Sequence, residues 1–157
     1  MGQIEDAYSR YQIAKDLLDN GEYAGAIREA QQCVELSVKA LLGALNIDYT
    51  KRRGDKKTKI PHDVSEKIPE AFGKVEHLLG KQLNLQRTYF AQAAVILKLL
   101  TGIKDHAAYG ITGLQVGAKD IFNFAFAREL GTVLVNLSYE SYLHMFMTLD
   151  RLKSESQ

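Results

Sequence analysis

Apolar residues recur every three or four positions through most of the chain, and the stretches where that rhythm stops are short. From Ile4 to Leu18 the spacing places Ala7, Tyr11, Ala14 and Leu18 on one face, and Asn20-Gly21 supplies a helix-ending signal before a tight turn. The next segment, Tyr23 to Leu45, carries two stripes. Ile27, Val34, Val38, Leu41 and Leu45 form a bulky one, while Ala26, Ala30, Cys33, Ser37, Ala40 and Ala44 form a small one beside it. Small side chains let a neighbouring helix approach toward the lower end of the ~8–10 Å range of axis separations, which predicts a central position for this helix.

The rhythm breaks between Asn46 and Pro61. Lys51-Arg52-Arg53-Gly54-Asp55-Lys56-Lys57-Thr58-Lys59 holds six basic residues against one acid, which predicts an exposed basic loop over about residues 46–60. Pro61 can open a helix, because its missing N–H would have no partner there, and His62 to Leu79 then forms one kinked helix or two short ones around Pro69. Leu83 to Leu100 reads as a helix with Leu85, Tyr89, Ala93, Ile96 and Leu100 turned inward, ended by the glycine-rich region from Thr101 to Gly117.

A long helix is expected from about Ala118 to Leu152, kinked near Gly131 and carrying Phe122, Phe126, Leu130, Val133, Leu137, Leu149 and Leu152. The alternation in Phe122-Asn123-Phe124-Ala125-Phe126 has no second strand-like segment to pair with, so helix is preferred. Farther along, Tyr139, Tyr142, Leu143, Met145, Phe146 and Met147 cover more than one face. Such a helix is either buried wholly inside the bundle or meets a partner chain in a homodimer. The expectation is a single all-α domain over residues 1–157, an antiparallel up-and-down bundle of about five helices.

Composition narrows the functional classes. A formal net charge of +1 over 157 residues argues against bulk attraction to nucleic acid or membrane and shifts attention to local patches. The one cysteine, Cys33, excludes an intramolecular disulfide and a multi-cysteine zinc cluster, and a packing role fits its place in the small-residue stripe. The start of the chain lacks the basic and apolar regions of a secretory signal, and no apolar run approaches the ~20 residues that cross a bilayer, so a cytoplasmic protein is expected. His62, His77, His106 and His144 are scattered, with no His-Glu-x-x-His helix, and neither a metal nor a cofactor is expected.

Three segments carry a family resemblance. Tyr11 to Ala26 resembles the opening helix and turn of the HEPN family of helical bundles. Ala30 to Leu42 resembles that family's second helix, with Gln31, Gln32, Glu35 and Lys39 in the expected places. Pro61-His62-Asp63-Val64 resembles the histidine at the start of its third helix. The resemblance implies an all-α bundle, homodimerisation, pairing with nucleotidyltransferase-like proteins in toxin–antitoxin-like arrangements and, in many members, ribonuclease activity through an arginine followed after four to six residues by a histidine. Here no histidine stands at those offsets from Arg10, Arg28, Arg52, Arg53, Arg87 or Arg128. Glu35 and Lys39, at i and i+4 in the favourable order, are read as helix support contributing ~0.2–0.5 kcal/mol on an exposed face.

Other motifs are weaker. Asp105-His106 lacks an identified nucleophile, Gly110-Ile111-Thr112-Gly113 lacks the sheet that a KH fold needs, and no phosphate-binding Walker loop occurs. The candidate ligand site is therefore the basic stretch: Lys51, Arg52, Arg53, Lys56, Lys57, Lys59 and His62, with Tyr49 and His62 placed to stack on a base. The expected function is a non-catalytic HEPN-like module that binds a nucleotide, RNA or a protein partner. The alternative is an RNA- or nucleotide-processing enzyme with a non-standard site, built from Arg87, His106 and Tyr109 across a dimer.

Overall fold

The helices stop where the sequence supplies a residue that tolerates the left-handed conformation. A computed structural model describes residues 2–53, 56–59, 64–121 and 123–155, with the backbone alone for residues 51–53, 56–59, 105, 107–109 and 119. Helix α1 (Gly2–Asp19) ends at Gly21, whose φ is +78°. The Glu22 N–H donates to the Leu17 carbonyl at 2.8 Å and the Gly21 N–H to the Leu18 carbonyl at 3.1 Å, a Schellman closure. Helix α2 (Tyr23–Ala44) closes in the same way, with Asn46 at φ +56° and the Ile47 N–H on the Leu42 carbonyl at 2.9 Å. Ile47 is buried with Leu42, adding the apolar contact that accompanies this motif.

The expected basic loop proves to be a ribbon. Strands β1 (Lys51–Arg53) and β2 (Lys56–Lys59) pair antiparallel, so a stretch without apolar alternation still forms a ladder. Pro61 and His62, the expected start of the third helix, lie outside the described residues. A 3-10 turn (Ser65–Lys67) leads into α3 (Ile68–Leu79), with Pro69 in the first turn, where its missing N–H costs nothing. Two short helical pieces, divided just before Pro69, are thus what the proline produces.

Helix α4 (Asn84–Tyr109) runs nine residues past the expected end at Leu100, straight through Gly102. It stops at Gly110, where φ +74° and ψ −158° lie in a region open essentially to glycine alone. A Cβ at this position would collide with the Val116 carbonyl oxygen. The Ile111 N–H donates to that carbonyl at 2.8 Å and the Val116 N–H donates to the Ile111 carbonyl at 3.2 Å, so the chain from Ile111 to Val116, which takes in the Gly113 end of the glycine motif, is a bridged turn. Gly110→Ala is expected to destabilise the protein by about 1–3 kcal/mol, seen as a lower midpoint in urea with an unchanged slope.

The expected long final helix is interrupted. Helix α5 (Ala118–Ile121) is a single turn, and α6 (Phe124–Glu155) starts anew because Asn123 caps it. The Phe126 N–H donates to Asn123 Oδ1 at 3.1 Å, and the Ala127 N–H to the Asn123 carbonyl at 2.8 Å. Gly131 lies inside α6, facing α1, where an added Cβ would sit 3.2 Å from Leu18 Cδ1.

The fold is an all-α bundle with α2 at its centre, packed against α1, α4 and α6 and, at its end, α3. One hydrophobic cluster draws on every long helix. The expected inward face of α4 holds at Ala93, Ile96 and Leu100, joined by Phe90 and Leu97, while Tyr89 is half-buried and Leu85 is exposed. The expected face of α6 is rotated: its buried line is Ala127, Gly131, Leu134, Ser138, Ser141, Met145 and Thr148, while Phe126 and Val133 are exposed. Spacings of four and three alternate along that line, so the seam is real but built of small and hydroxyl side chains. It meets the small stripe of α2, where the Cys33 thiol reaches the Ser138 carbonyl at 3.8 Å. Burial pushes the Cys33 thiol up to about 12, so this cysteine is a packing residue rather than a thiolate. Among the described residues no helix is long and apolar enough to cross a membrane.

Candidate functional site

Gln31, Glu35 and Lys39 stand one turn apart along α2, on the side that meets α4, and all three are buried. The surface reading of Glu35 and Lys39 is corrected: each is only 6% exposed. Lys39 Nζ donates to Glu35 Oε1 at 2.7 Å. Gln31 Nε2 donates to Glu35 Oε2 at 2.9 Å and to Thr101 Oγ1 on α4 at 3.4 Å. These donations fix the amide orientation, since a flipped Gln31 would turn its oxygen toward the carboxylate. Among the described residues Gln31 Oε1 is then a buried acceptor with no donor, an arrangement that costs free energy and is rare in folded proteins.

This row connects to the basic ribbon through Tyr49. The Lys39 ammonium lies 5.6 Å from the centre of the Tyr49 ring, and two residues later β1 begins. Thr50 is held by Asp48, whose Oδ1 accepts from the Thr50 N–H at 2.9 Å and from its hydroxyl at 2.6 Å, closing the turn that launches the strand. Of the sequence-based candidates, Lys51, Arg52, Arg53, Lys56, Lys57 and Lys59 all fall on the two strands, and His62 lies outside the described residues. The pairing brings together cations that the sequence only lists in order: Lys51 opposite Lys59, Arg52 opposite Lys57, Arg53 opposite Lys56. Like charges directly opposite oppose strand pairing.

The residues of the enzymatic alternative are not brought together within one chain. Arg87 and His106 stand near opposite ends of α4, roughly 28 Å apart along its axis. Arg87 Nη2 donates to both Glu76 carboxylate oxygens, at 3.3 and 3.2 Å. Glu76 also accepts from the Leu83 N–H at 3.1 Å, which makes the guanidinium part of the α3–α4 corner. His106 Nδ1 lies 3.4 Å from the Gly110 carbonyl at the end of its own helix, and the side chain of Tyr109 lies outside the described residues. No group of three or more His, Cys, Asp or Glu able to hold a metal occurs among the described residues.

A second feature lies where α4 and α6 diverge from α2. Tyr89 and His144 stack with ring centres 3.8 Å apart and planes 11° from parallel, at the head of a groove of about 400 Å³ lined also by Val95, Leu137 and Glu140. Burial lowers the His144 pKa, and Glu140 pulls it partly back up. The fold therefore favours neutral His144, and the unfolded chain takes up the proton first as pH falls through about 6.5. This contribution to stability is complete above that value and is lost between it and the lowered folded value. Comparing thermal midpoints of the wild type and His144→Phe between pH 8 and pH 5 should show the wild type losing more on acidification, because the variant keeps the stack without the titration.

Comparison with known proteins gives one informative result. A family model described as HEPN domain matches residues 3–78, which span α1, α2, the ribbon and most of α3. No curated protein and no solved structure matches the chain.

Proposed function

The chain belongs to the HEPN family through residues 3–78, and from that premise we propose that it is a non-catalytic HEPN module that binds a nucleotide or RNA through its basic ribbon. The observation that carries this reading is the composition of the two strands: β1 and β2 contain six cations and no carboxylate. A bound anion is the natural counterpart of that concentration of charge. The absence from the sequence of an arginine followed after four to six residues by a histidine supports binding over cleavage.

A fluorescent single-stranded RNA, with ATP as competitor, tests the reading. Binding should disappear when Lys51, Arg52, Arg53, Lys56, Lys57 and Lys59 are changed together to alanine. Undiminished binding by that variant would remove the ribbon from the site. Sustained RNA cleavage that is lost on His106→Ala would replace the binding module with an enzyme.

The module is proposed to act as a homodimer, with a nucleotidyltransferase-like protein as a further partner. Val95 and Leu99 on α4 and Val133 on α6 are exposed by 67%, 47% and 54% beside the groove that Leu137 lines. Apolar residues in such a row are what an interface between copies covers. Light scattering should give twice the chain mass, falling to the single-chain mass for Val133→Asp.

A further inference from the structure

The register of the ribbon carries more than its composition does. The pairing is irregular between Lys51 and Arg52: Arg52 stands opposite Lys57, but Lys51 stands opposite Lys59, so Thr58 is the extra residue of a bulge. In a regular ladder Thr58 would stand opposite Lys51, and Lys59 would fall on the face of Lys57. The bulge instead brings Lys59 opposite Lys51. Residues two apart on β1 share a face, as do residues directly opposite one another, so Lys51, Arg53, Lys56 and Lys59 occupy one face and Arg52 and Lys57 the other.

The chain thus adopts the register with more like-charge opposition where a threonine was available to relieve it. A two-stranded ribbon is marginal in water even without such repulsion. Two cross-strand pairs of cationic residues, with backbone positions about 5 Å apart across the ladder and about 7 Å along it, carry more charge than one phosphate group neutralises, whereas a strand carrying phosphate after phosphate can meet both pairs at once.

Building on the anion-binding reading above, we infer that the ligand is a phosphodiester strand lying along the four-cation face, and that β1 and β2 pair stably only when it is bound. A nucleoside monophosphate covers one pair and leaves the other opposed. The bulge is then the device that selects a chain of phosphates over a lone one, and binding and strand pairing are a single event.

Amide hydrogen exchange on the full chain tests this, with the amides of α2 as the control for folding. At low salt, residues 51–53 and 56–59 should exchange freely without ligand. They should gain about tenfold protection with a twelve-nucleotide single-stranded oligonucleotide, the order expected when directly opposed like-charge pairs are relieved. Oligo-uridine and oligo-thymidine arms identify whether RNA, DNA or both supply the strand, and protection by any of them supports the inference. AMP or inorganic phosphate at equal phosphate concentration should leave the ribbon unprotected, and equal protection by either overturns the choice of a strand.

The double variant Lys56→Glu with Lys59→Glu places opposite charges at both pairs of the face. It should be protected without any ligand and should no longer respond to the oligonucleotide. If it exchanges as fast as the wild type, the argument from register is wrong. An oligonucleotide that binds without changing exchange sinks this inference alone, while one that does not bind at all sinks the anion-binding reading as well.

Discussion

Lys39→Met is expected to lower stability by about 3–5 kcal/mol, because it breaks the buried ion pair between the Lys39 ammonium and the Glu35 carboxylate. That would be a large part of the whole stability of a domain this size, so the variant should unfold at a much lower urea concentration or accumulate poorly. The cause is desolvation. Two charges taken out of water are tolerable while they face each other at 2.7 Å, and removing the ammonium takes away the opposite charge that offsets the desolvation of the carboxylate. Pairing Lys39→Met with Glu35→Leu removes both charges and should recover much of the loss, since a buried ion pair replaced by apolar side chains is often close to neutral. Recovery should be incomplete, because Gln31 Nε2 loses its 2.9 Å bond to Glu35 and keeps only the 3.4 Å contact to Thr101. A double variant no more stable than the worse single one would show that Glu35 and Lys39 do not act as a pair. The same double variant also separates structure from binding: if the polar row only holds α2 against α4, the ribbon should bind its anion undiminished.

Much of this fold was legible in the sequence because α1 and α2 obey the helical period with few exceptions. The two stripes of α2, the Gly21 stop and the central position of the helix all follow from residue spacing. The rotated face of α6 has a different origin. Large apolar residues such as Phe126 and Val133 draw the eye, yet the seam of α6 includes Ala127, Gly131, Ser138 and Ser141, which permit close approach to α2. A buried line of small residues has a strong period and a weak hydrophobic signal. Asn123 was likewise readable only once its side chain was seen to cap α6.

The candidate site was half legible. The six cations were evident, but a strand reading needs alternation that lysine and arginine do not provide, so the register and its bulge were hidden. Burial of Gln31, Glu35 and Lys39 was hidden too, because charged residues at helical spacing ordinarily face water. Their spacing of four residues, on the side of α2 that also carries the buried Leu42, was the one available signal that they point inward.

The affinity for single-stranded RNA is expected to fall about 50-fold between 50 and 200 mM salt when the four cations of the shared face meet phosphates, a logarithmic slope of about −2.8. Each phosphate contact on a single strand releases ~0.7 of a condensed counterion, and the entropy of that release is what added salt removes. The near-neutral whole makes the test specific. With a net charge of +1 the chain offers little general attraction, so a steep slope must come from a local concentration of charge. Changing Arg53 and Lys56 to alanine removes one cross-strand pair and should flatten the slope by about 1.4, independent of the oligonucleotide's sequence, because phosphates carry no sequence information. A slope near zero would mean that whatever the module holds, it does not hold it by phosphate contacts. Apolar docking through the Val95–Val133 face would then be the better account, since burial of apolar surface is nearly indifferent to salt over that range.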